Sequence, residues 1–224
     1  MSQPREEVSS DSPAMTRALQ LLSDRALDKL PVLLLGESGV GKRRLARWLH
    51  QKSLEASLPL VVCQLGGEPD EVIDEVLTAK LSQAEDGVLF IDEIGDLPQS
   101  AQLKILTALS HHRLRLIAST REEQGDLQQK GVLPALLQAL GEPIVVPSLR
   151  ERREDFTALV GSFLVEQGLA EDAIAPSAKE ALLQYGWPEN VRELKHTIVR
   201  VIRANGGAKI KLDHLPPRFH PSEG

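Results

Sequence analysis

Seven residues, Gly36-Glu37-Ser38-Gly39-Val40-Gly41-Lys42, stand between the apolar run Val32-Leu33-Leu34-Leu35 and a stretch with helical patterning. Few folds accommodate a strand, then Gly-x-x-x-x-Gly-Lys, then a helix. Glycines at 36, 39 and 41 let the backbone curl so that its N–H groups face inward, and the helix that follows presents the positive end of its dipole. The segment Gly36, Glu37, Ser38, Gly39, Val40, Gly41, Lys42 and Arg43 is therefore expected to cradle phosphate, with Lys42 bridging the β and γ phosphates of a nucleotide. A glycine-rich turn with a solvent-facing lysine would use the same residue types; the agreement of spacing, strand and helix argues against it. Arg43 replaces the Ser or Thr that ordinarily ligates magnesium after the lysine. That weakens a direct metal bond from the loop and leaves the cradle in place.

The same strand-then-helix grammar recurs along the chain. Leu60–Gln64, Val88–Ile91, Leu114–Ala118 and Ile144–Val146 are short apolar runs separated by helix-length segments. Five such strands joined by crossovers predict an α/β fold with a parallel sheet. Upstream, Ser12 and Pro13 form a helix-start signal, followed by Met15, Leu19, Leu22, Ala26 and Leu30 at helical spacing. After Pro147 the pattern changes: Phe156–Gln167, Pro176–Gln184 and Glu189–Ala204 read as helices, with no strand candidate left. We expect a lead-in over residues 1–10, a nucleotide-binding α/β domain over 11–148, a helical lid domain over 149–218 and a tail over 219–224. At 224 residues the chain has room for one such domain and a small appendage.

Val88-Leu89-Phe90-Ile91-Asp92-Glu93 ends an apolar strand in two carboxylates, at the edge where open α/β sheets bind ligands. Asp92 is expected to hold magnesium or its water shell, and Glu93 to polarise the water that attacks the γ-phosphate. The balance of 32 acidic against 26 basic residues gives a net charge of -6, so the chain as a whole offers no cationic field for DNA. No apolar run approaches the length of a membrane span. Cys63 is the one cysteine and cannot form an internal disulfide, which suits a reducing cytoplasm.

Taken together the segments DSPAM (11–15), LLLGESGVGK (33–42), VLFIDEIGDLP (88–98), LRER (149–152), WPENVREL (187–194) and LDHLPP (212–217) resemble the AAA+ domains of bacterial enhancer-binding proteins, the ATPases that activate sigma-54 RNA polymerase. The resemblance covers nearly the whole chain. It implies an AAA+ P-loop NTPase with strand order 5-1-4-3-2 and a helical lid, and nucleotide bound between them, often at a subunit boundary. ATP or ADP with Mg2+ are the implied cofactors. It further implies that Arg192 senses the γ-phosphate, although Arg192, His196, Arg200 and Arg203 also read as one solvated basic stripe.

The sequence departs from that family in places that bear on activity. The GAFTGA loop, which grips sigma-54, is absent, and Leu65–Gly87 holds only what one helix and two turns require. A second family insertion is missing, since His111-His112-Arg113 leads directly into Leu114. His111 and His112 diverge and read as a solvated turn rather than a metal site. Arg121 stands where the family has a sensor asparagine, and Gln64 where an asparagine restrains the catalytic glutamate. Gly131–Leu140, aligned with the source of arginine fingers, contains no arginine. Such fingers are worth about 10³ to 10⁵ in turnover.

These features predict a divergent nucleotide-dependent regulator of transcription with weak intrinsic ATPase. It would act through protein partners, such as the transcription machinery or a related AAA+ subunit, or through homo- or hetero-oligomeric assembly. Direct DNA binding is not expected without the family's helix-turn-helix. Two other readings remain: an ATPase that remodels a protein partner within a mixed ring, and an interaction module whose nucleotide site is vestigial.

Overall fold

The computed structural model describes residues 8–220. Met1–Glu7 of the expected lead-in and Pro221–Gly224 of the expected tail lie outside the described residues. The chain divides into two compact units: Thr16–Glu37 with Gly41–Val146 belong to the first, and Ser10–Met15, Ser38–Val40 and the residues from Pro147 onward to the second.

Helix α1 (Pro13–Arg25) leads into β1 (Val32–Leu35), α2 (Lys42–Lys52) and β2 (Leu60–Gln64). Then follow α3 (Asp70–Gln83), β3 (Val88–Asp92), α4 (Gln99–Ser110) and β4 (Arg115–Thr120). Two short helices, α5 (Gln124–Gln129) and α6 (Pro134–Leu140), precede β5 (Ile144–Val145). All pairings are parallel and the order is β2-β3-β4-β1-β5, the same sheet as 5-1-4-3-2 read from its other edge. A parallel sheet covered on both faces needs strands that are apolar throughout, which is why β1 and β3 are continuous apolar runs rather than alternating ones. Phe90, Leu89 and Leu34 are fully buried. Against the strands pack Ile73 and Leu77 of α3, Ala101 and Ile105 of α4 and Leu136 and Leu137 of α6. Each buried side chain of this size contributes about 1.5 to 3 kcal/mol.

The register fixes the site. Gln64 pairs with Asp92 across β2 and β3, Ile91 with Ala118 across β3 and β4, and Leu35 with Thr120 across β1 and β4. The last residues of four strands therefore end at one edge of the sheet, beside the loop that leaves β1. Between β2 and β3 the chain forms the single helix α3, and α4 reaches β4 through the turn at His111–Arg113 alone.

Two local expectations fail near α1. The Ser12 hydroxyl, the expected helix cap, is buried without a partner. The amides of Asp11 and Ser12 instead donate to the Asp155 carboxylate at 2.8 and 3.2 Å. An anionic side chain at a helix start outcompetes a neutral hydroxyl because it also meets the helix dipole. Leu30 is 54% exposed rather than part of the buried stripe, since the helix ends at Arg25 and the Asp28 carboxylate accepts the Leu30 amide at 2.9 Å.

The second unit is helical, with α7 (Phe156–Glu166), α8 (Pro176–Gln184) and α9 (Asn190–Ala204). Trp187 anchors its core, edge-on to Tyr185 at 5.1 Å between ring centres and 5.4 Å from Phe219, with its indole N–H donating to the Leu182 carbonyl at 2.9 Å. Leu194, Ile198, Val201 and Ile202 of α9 face this cluster, while Arg192, His196, Arg200 and Arg203 are exposed. One element was not foreseen: Ile174 and Ile210 form an isolated parallel bridge, with the Ala175 amide donating to the Ile210 carbonyl at 2.7 Å.

Candidate nucleotide site

The first unit assembles the charged centre. Lys42, 6% exposed, opens α2 behind Gly41, whose φ of 109° is a left-handed conformation that a side chain would strain. Its ammonium donates to the Gly36 carbonyl at 2.6 Å and pairs with Glu93 Oε1 at 3.0 Å; the Glu37 carbonyl lies at 3.5 Å. The Gly36 amide donates to the Thr120 carbonyl at 3.0 Å, which ties the loop to the end of β4. A buried lysine needs about three acceptors to replace lost water, and the two loop carbonyls and the Glu93 carboxylate surround it.

Asp92 and Glu93 are held differently although they are adjacent. Asp92 ends β3, and its Oδ1 accepts the Ser119 hydroxyl at 2.6 Å while Oδ2 accepts the Gln64 amide at 3.1 Å. Glu93 leaves the strand with φ 57° and ψ 70°, a left-handed backbone that is uncommon for a residue with a side chain and clusters at functional sites. That turn sends its carboxylate toward Lys42. Its second oxygen accepts the Arg121 amide at 3.2 Å, and its own amide donates to Ser119 Oγ at 3.1 Å. Ser119, fully buried, thus accepts from Glu93 and donates to Asp92. It sits in Ala118-Ser119-Thr120, where a hydroxyl pair at the end of a buried strand was the only available signal.

Arg43 faces the same edge. Its Nη1 donates to Gln64 Oε1 at 2.9 Å, so Gln64 links the guanidinium to Asp92. The resemblance places Gln64 where an asparagine restrains the glutamate; here its amide engages Asp92, and Glu93 is restrained by Lys42 and the Arg121 amide. The Arg121 side chain turns to Glu122 at 3.2 Å, and Glu122 also accepts Lys130 at 2.5 Å and Thr120 Oγ1 at 2.9 Å. Burial pushes the Glu122 carboxyl up, but hydrogen bonds from Lys130, Thr120 and Arg121 outweigh it and bring it to about 2. The hydrogen bond to Glu122, then its charge and that of Glu93, raise Arg121 further above its ordinary value.

The second unit includes Ser38–Val40, the middle of the glycine loop. Arg192 Nη1 donates to Ser38 Oγ at 3.2 Å, and the Arg192 amide donates to the Gly39 carbonyl at 3.2 Å. A side chain on Gly39 would collide with the Glu189 carbonyl, so glycine is required by packing as well as by its φ of 79°. Asn190, fully buried and left-handed at φ 54°, donates to the Ser38 carbonyl at 2.9 Å and accepts the Leu149 amide at 2.8 Å. Arg152 Nη2 donates to the carbonyl of buried Val40 at 2.6 Å. Asn190 and Arg152 lie within the quoted WPENVREL and LRER segments, yet their hold on the loop was not legible there.

Magnesium, which the fold family implies, meets a mixed fit. Asp92 presents a carboxylate at the strand end, but both oxygens already accept hydrogen bonds and the neighbouring loop position is a guanidinium. Among the described residues no group of three or more His, Cys, Asp or Glu is gathered to hold a metal. With one carboxylate at the strand end, the donor set would suit a magnesium ion held by Asp92 through water rather than by an all-protein cage.

The comparisons agree with this architecture. Residues 9–149 match the sigma-54 interaction domain and residues 150–224 the AAA+ ATPase lid domain. The anaerobic nitric oxide reductase transcription regulator NorR of Salmonella paratyphi C is 33% identical over 228 residues, covering 85% of this chain and 44% of that protein. The chain thus spans less than half the length of such relatives. Among solved structures, NtrX from Brucella abortus in complex with ATP superposes with a TM-score of 0.84 at 28% identity, over 96% of this chain and 57% of that one, and the ADP complex likewise at 27%. A RuvB mutant of Thermotoga maritima, 18% identical with a TM-score of 0.63 over 89% of this chain and 66% of that one, shares the fold. No helix among the described residues is long and apolar enough to cross a membrane. On the match over residues 9–149, which include the glycine loop, Asp92 and Glu93, the chain belongs to the sigma-54 interaction domain family.

Proposed function

We propose that the chain binds ATP and ADP through the glycine loop, hydrolyses ATP slowly on its own, and serves as a nucleotide-dependent regulator of transcription in the cytoplasm. Residues 11–148 would form the nucleotide-binding domain and 149–218 the lid. The observation that carries this reading is the Lys42–Glu93 pair at 3.0 Å beside Asp92, at the carboxyl ends of parallel strands. A triphosphate that draws the Lys42 ammonium onto its β and γ oxygens frees Glu93 Oε1 from its ion pair. The carboxylate, still held through its other oxygen by the Arg121 amide, is then available to polarise water. Asp92 would order the magnesium that accompanies the phosphates, a role that supplies charge neutralisation at the γ-phosphate. The Arg192 guanidinium, resting on Ser38 Oγ, would move to the γ-phosphate when one is present.

Slow turnover follows from what surrounds these groups. Helix α6 carries no arginine, and the Arg121 guanidinium is paired with Glu122. Without an arginine finger reaching the γ-phosphate from a neighbouring subunit, a loss of about 10³-fold or more in rate is expected. The absence of the GAFTGA sequence directs the output toward protein partners or assembly rather than toward sigma-54 itself. The alternative, an ATPase within a mixed ring, is favoured by the missing finger alone, since a related subunit would supply it. Titration calorimetry with ATP and ADP, together with turnover measured across protein concentrations, tests the proposal. Binding abolished by Lys42→Ala, with turnover per chain flat in concentration, is expected. Nucleotide binding unaffected by Lys42→Ala would refute the site, and strong self-stimulation would refute the slow isolated ATPase.

A further inference from the structure

Arg43 occupies the position where phosphate loops in general carry the hydroxyl that ligates magnesium, and which the family this chain resembles also commonly fills with a non-hydroxyl residue. A guanidinium has only donors and a fixed positive charge, so it cannot ligate a cation and repels one nearby. One side chain links it to the Asp92 carboxylate: Arg43 Nη1 to Gln64 Oε1 at 2.9 Å, then Gln64 Nε2 to Asp92 Oδ2 at 3.1 Å. The opposite oxygen of Asp92 takes the Ser119 hydroxyl at 2.6 Å. Arg43 Nε, by contrast, is shielded from solvent and has no partner. Buried N–H groups are nearly always satisfied, and one left over beside a phosphate loop is a donor in want of an anionic acceptor. Arginine also meets phosphate oxygens with two parallel N–H groups, which a lysine cannot do.

We propose that Arg43 supplies part of the charge that a divalent cation supplies in other loops of this kind, so that nucleotide affinity is nearly independent of magnesium. The inference rests on the nucleotide-binding reading and adds a property to it: the chain would hold ATP or ADP with the metal absent, and need magnesium only for turnover. The arrangement costs the loop a metal ligand and gains a permanent cation that Gln64 keeps in register with Asp92.

The test is calorimetric titration with ADP, once with excess magnesium and once with EDTA, on the wild type, Arg43→Thr and Arg43→Lys. The wild-type dissociation constant is expected to change by less than about threefold between the two conditions. Arg43→Thr, which restores the hydroxyl, is expected to lose about tenfold in EDTA and to recover with magnesium. Arg43→Lys keeps the positive charge without the guanidinium fork and should lose less than about threefold in EDTA relative to the wild type. A wild type that binds about tenfold tighter with magnesium overturns the inference, as does an Arg43→Thr protein with the wild-type ratio. So does an Arg43→Lys protein that fails in EDTA as Arg43→Thr does, because the effect would then not be one of charge. Failure of all three proteins to bind even with magnesium would instead remove the nucleotide-binding reading and this inference with it.

Discussion

Ser119 offers the sharpest way to test whether the two carboxylates act as one unit. Its hydroxyl accepts the Glu93 amide at 3.1 Å and donates to Asp92 Oδ1 at 2.6 Å, in a side chain with no solvent exposure. The first bond is neutral and contributes about 1 kcal/mol net; the second ends on a carboxylate and contributes about 1.5 to 3 kcal/mol. Ser119→Ala removes both and leaves the Glu93 amide unmatched, but water reaches the half-exposed Asp92, so a net loss of about 2 to 3 kcal/mol is expected. For a chain of this length each kcal/mol lowers the melting temperature by about 2–4 °C, giving a fall of roughly 5 to 10 °C. The magnitude alone would not identify the partner. A double-mutant cycle with Asp92→Asn does, since in the Ser119→Ala background Asp92 has already lost this donor. Urea unfolding of the four proteins at neutral pH should give a coupling of about 1.5 kcal/mol. Losses that add to within about 0.5 kcal/mol would refute the idea that Ser119 holds the pair together.

Two further outcomes follow from the charged clusters of the first unit. Glu122 is depressed from 4.5 to about 2, so between those values the unfolded chain binds the proton that the folded chain does not. Stability from this group is present above pH 4.5 and is lost as pH falls toward 2. Because Arg121 and Lys130 are 54% and 40% exposed, screening reduces the contribution to about 1 kcal/mol, and the unfolding free energy of Glu122→Gln from urea titration should fall below that of the wild type at pH 7 by that amount and converge with it near pH 2. Arg115 and Glu55 form a pair at 3.1 Å whose side chains are 1% and 3% exposed, with Arg115 also donating to the carbonyls of Leu30 and Arg25. Glu55→Ala strands the guanidinium and should cost about 3 to 5 kcal/mol in the same assay, whereas Arg115→Met with Glu55→Leu should recover at least half of that loss.

The elements legible in the sequence are those whose cause is local. A continuous apolar run closed by a turn specifies a doubly covered strand, and a glycine spacing specifies a loop, because both patterns act through neighbouring residues. Arg115 shows where this reasoning stops. A charged residue after Leu114 resembles a solvated strand start, yet it is buried because Glu55, 60 residues earlier, neutralises it. Ser12 shows the converse, a complete local cap signal displaced by Asp155, 143 residues away.

The candidate site divides along the same line. Lys42, Asp92 and Glu93 could be named from spacing because the backbone that presents them is set by the loop and by β3. The contacts that decide their chemistry run across strands, at separations of 21 residues for Arg43 and Gln64, 28 for Gln64 and Asp92, and 27 for Asp92 and Ser119. None of these pairings has a local signature; each requires the strand order and the register to be known first. Changing Gln64 to a residue that no longer reaches across β2 and β3 would therefore leave every recognisable segment of the sequence intact while separating Arg43 from Asp92. For this reason the recognisable segments present Lys42, Asp92 and Glu93, whereas the contacts among Arg43, Gln64, Asp92 and Ser119 exist only once the strand order has been set.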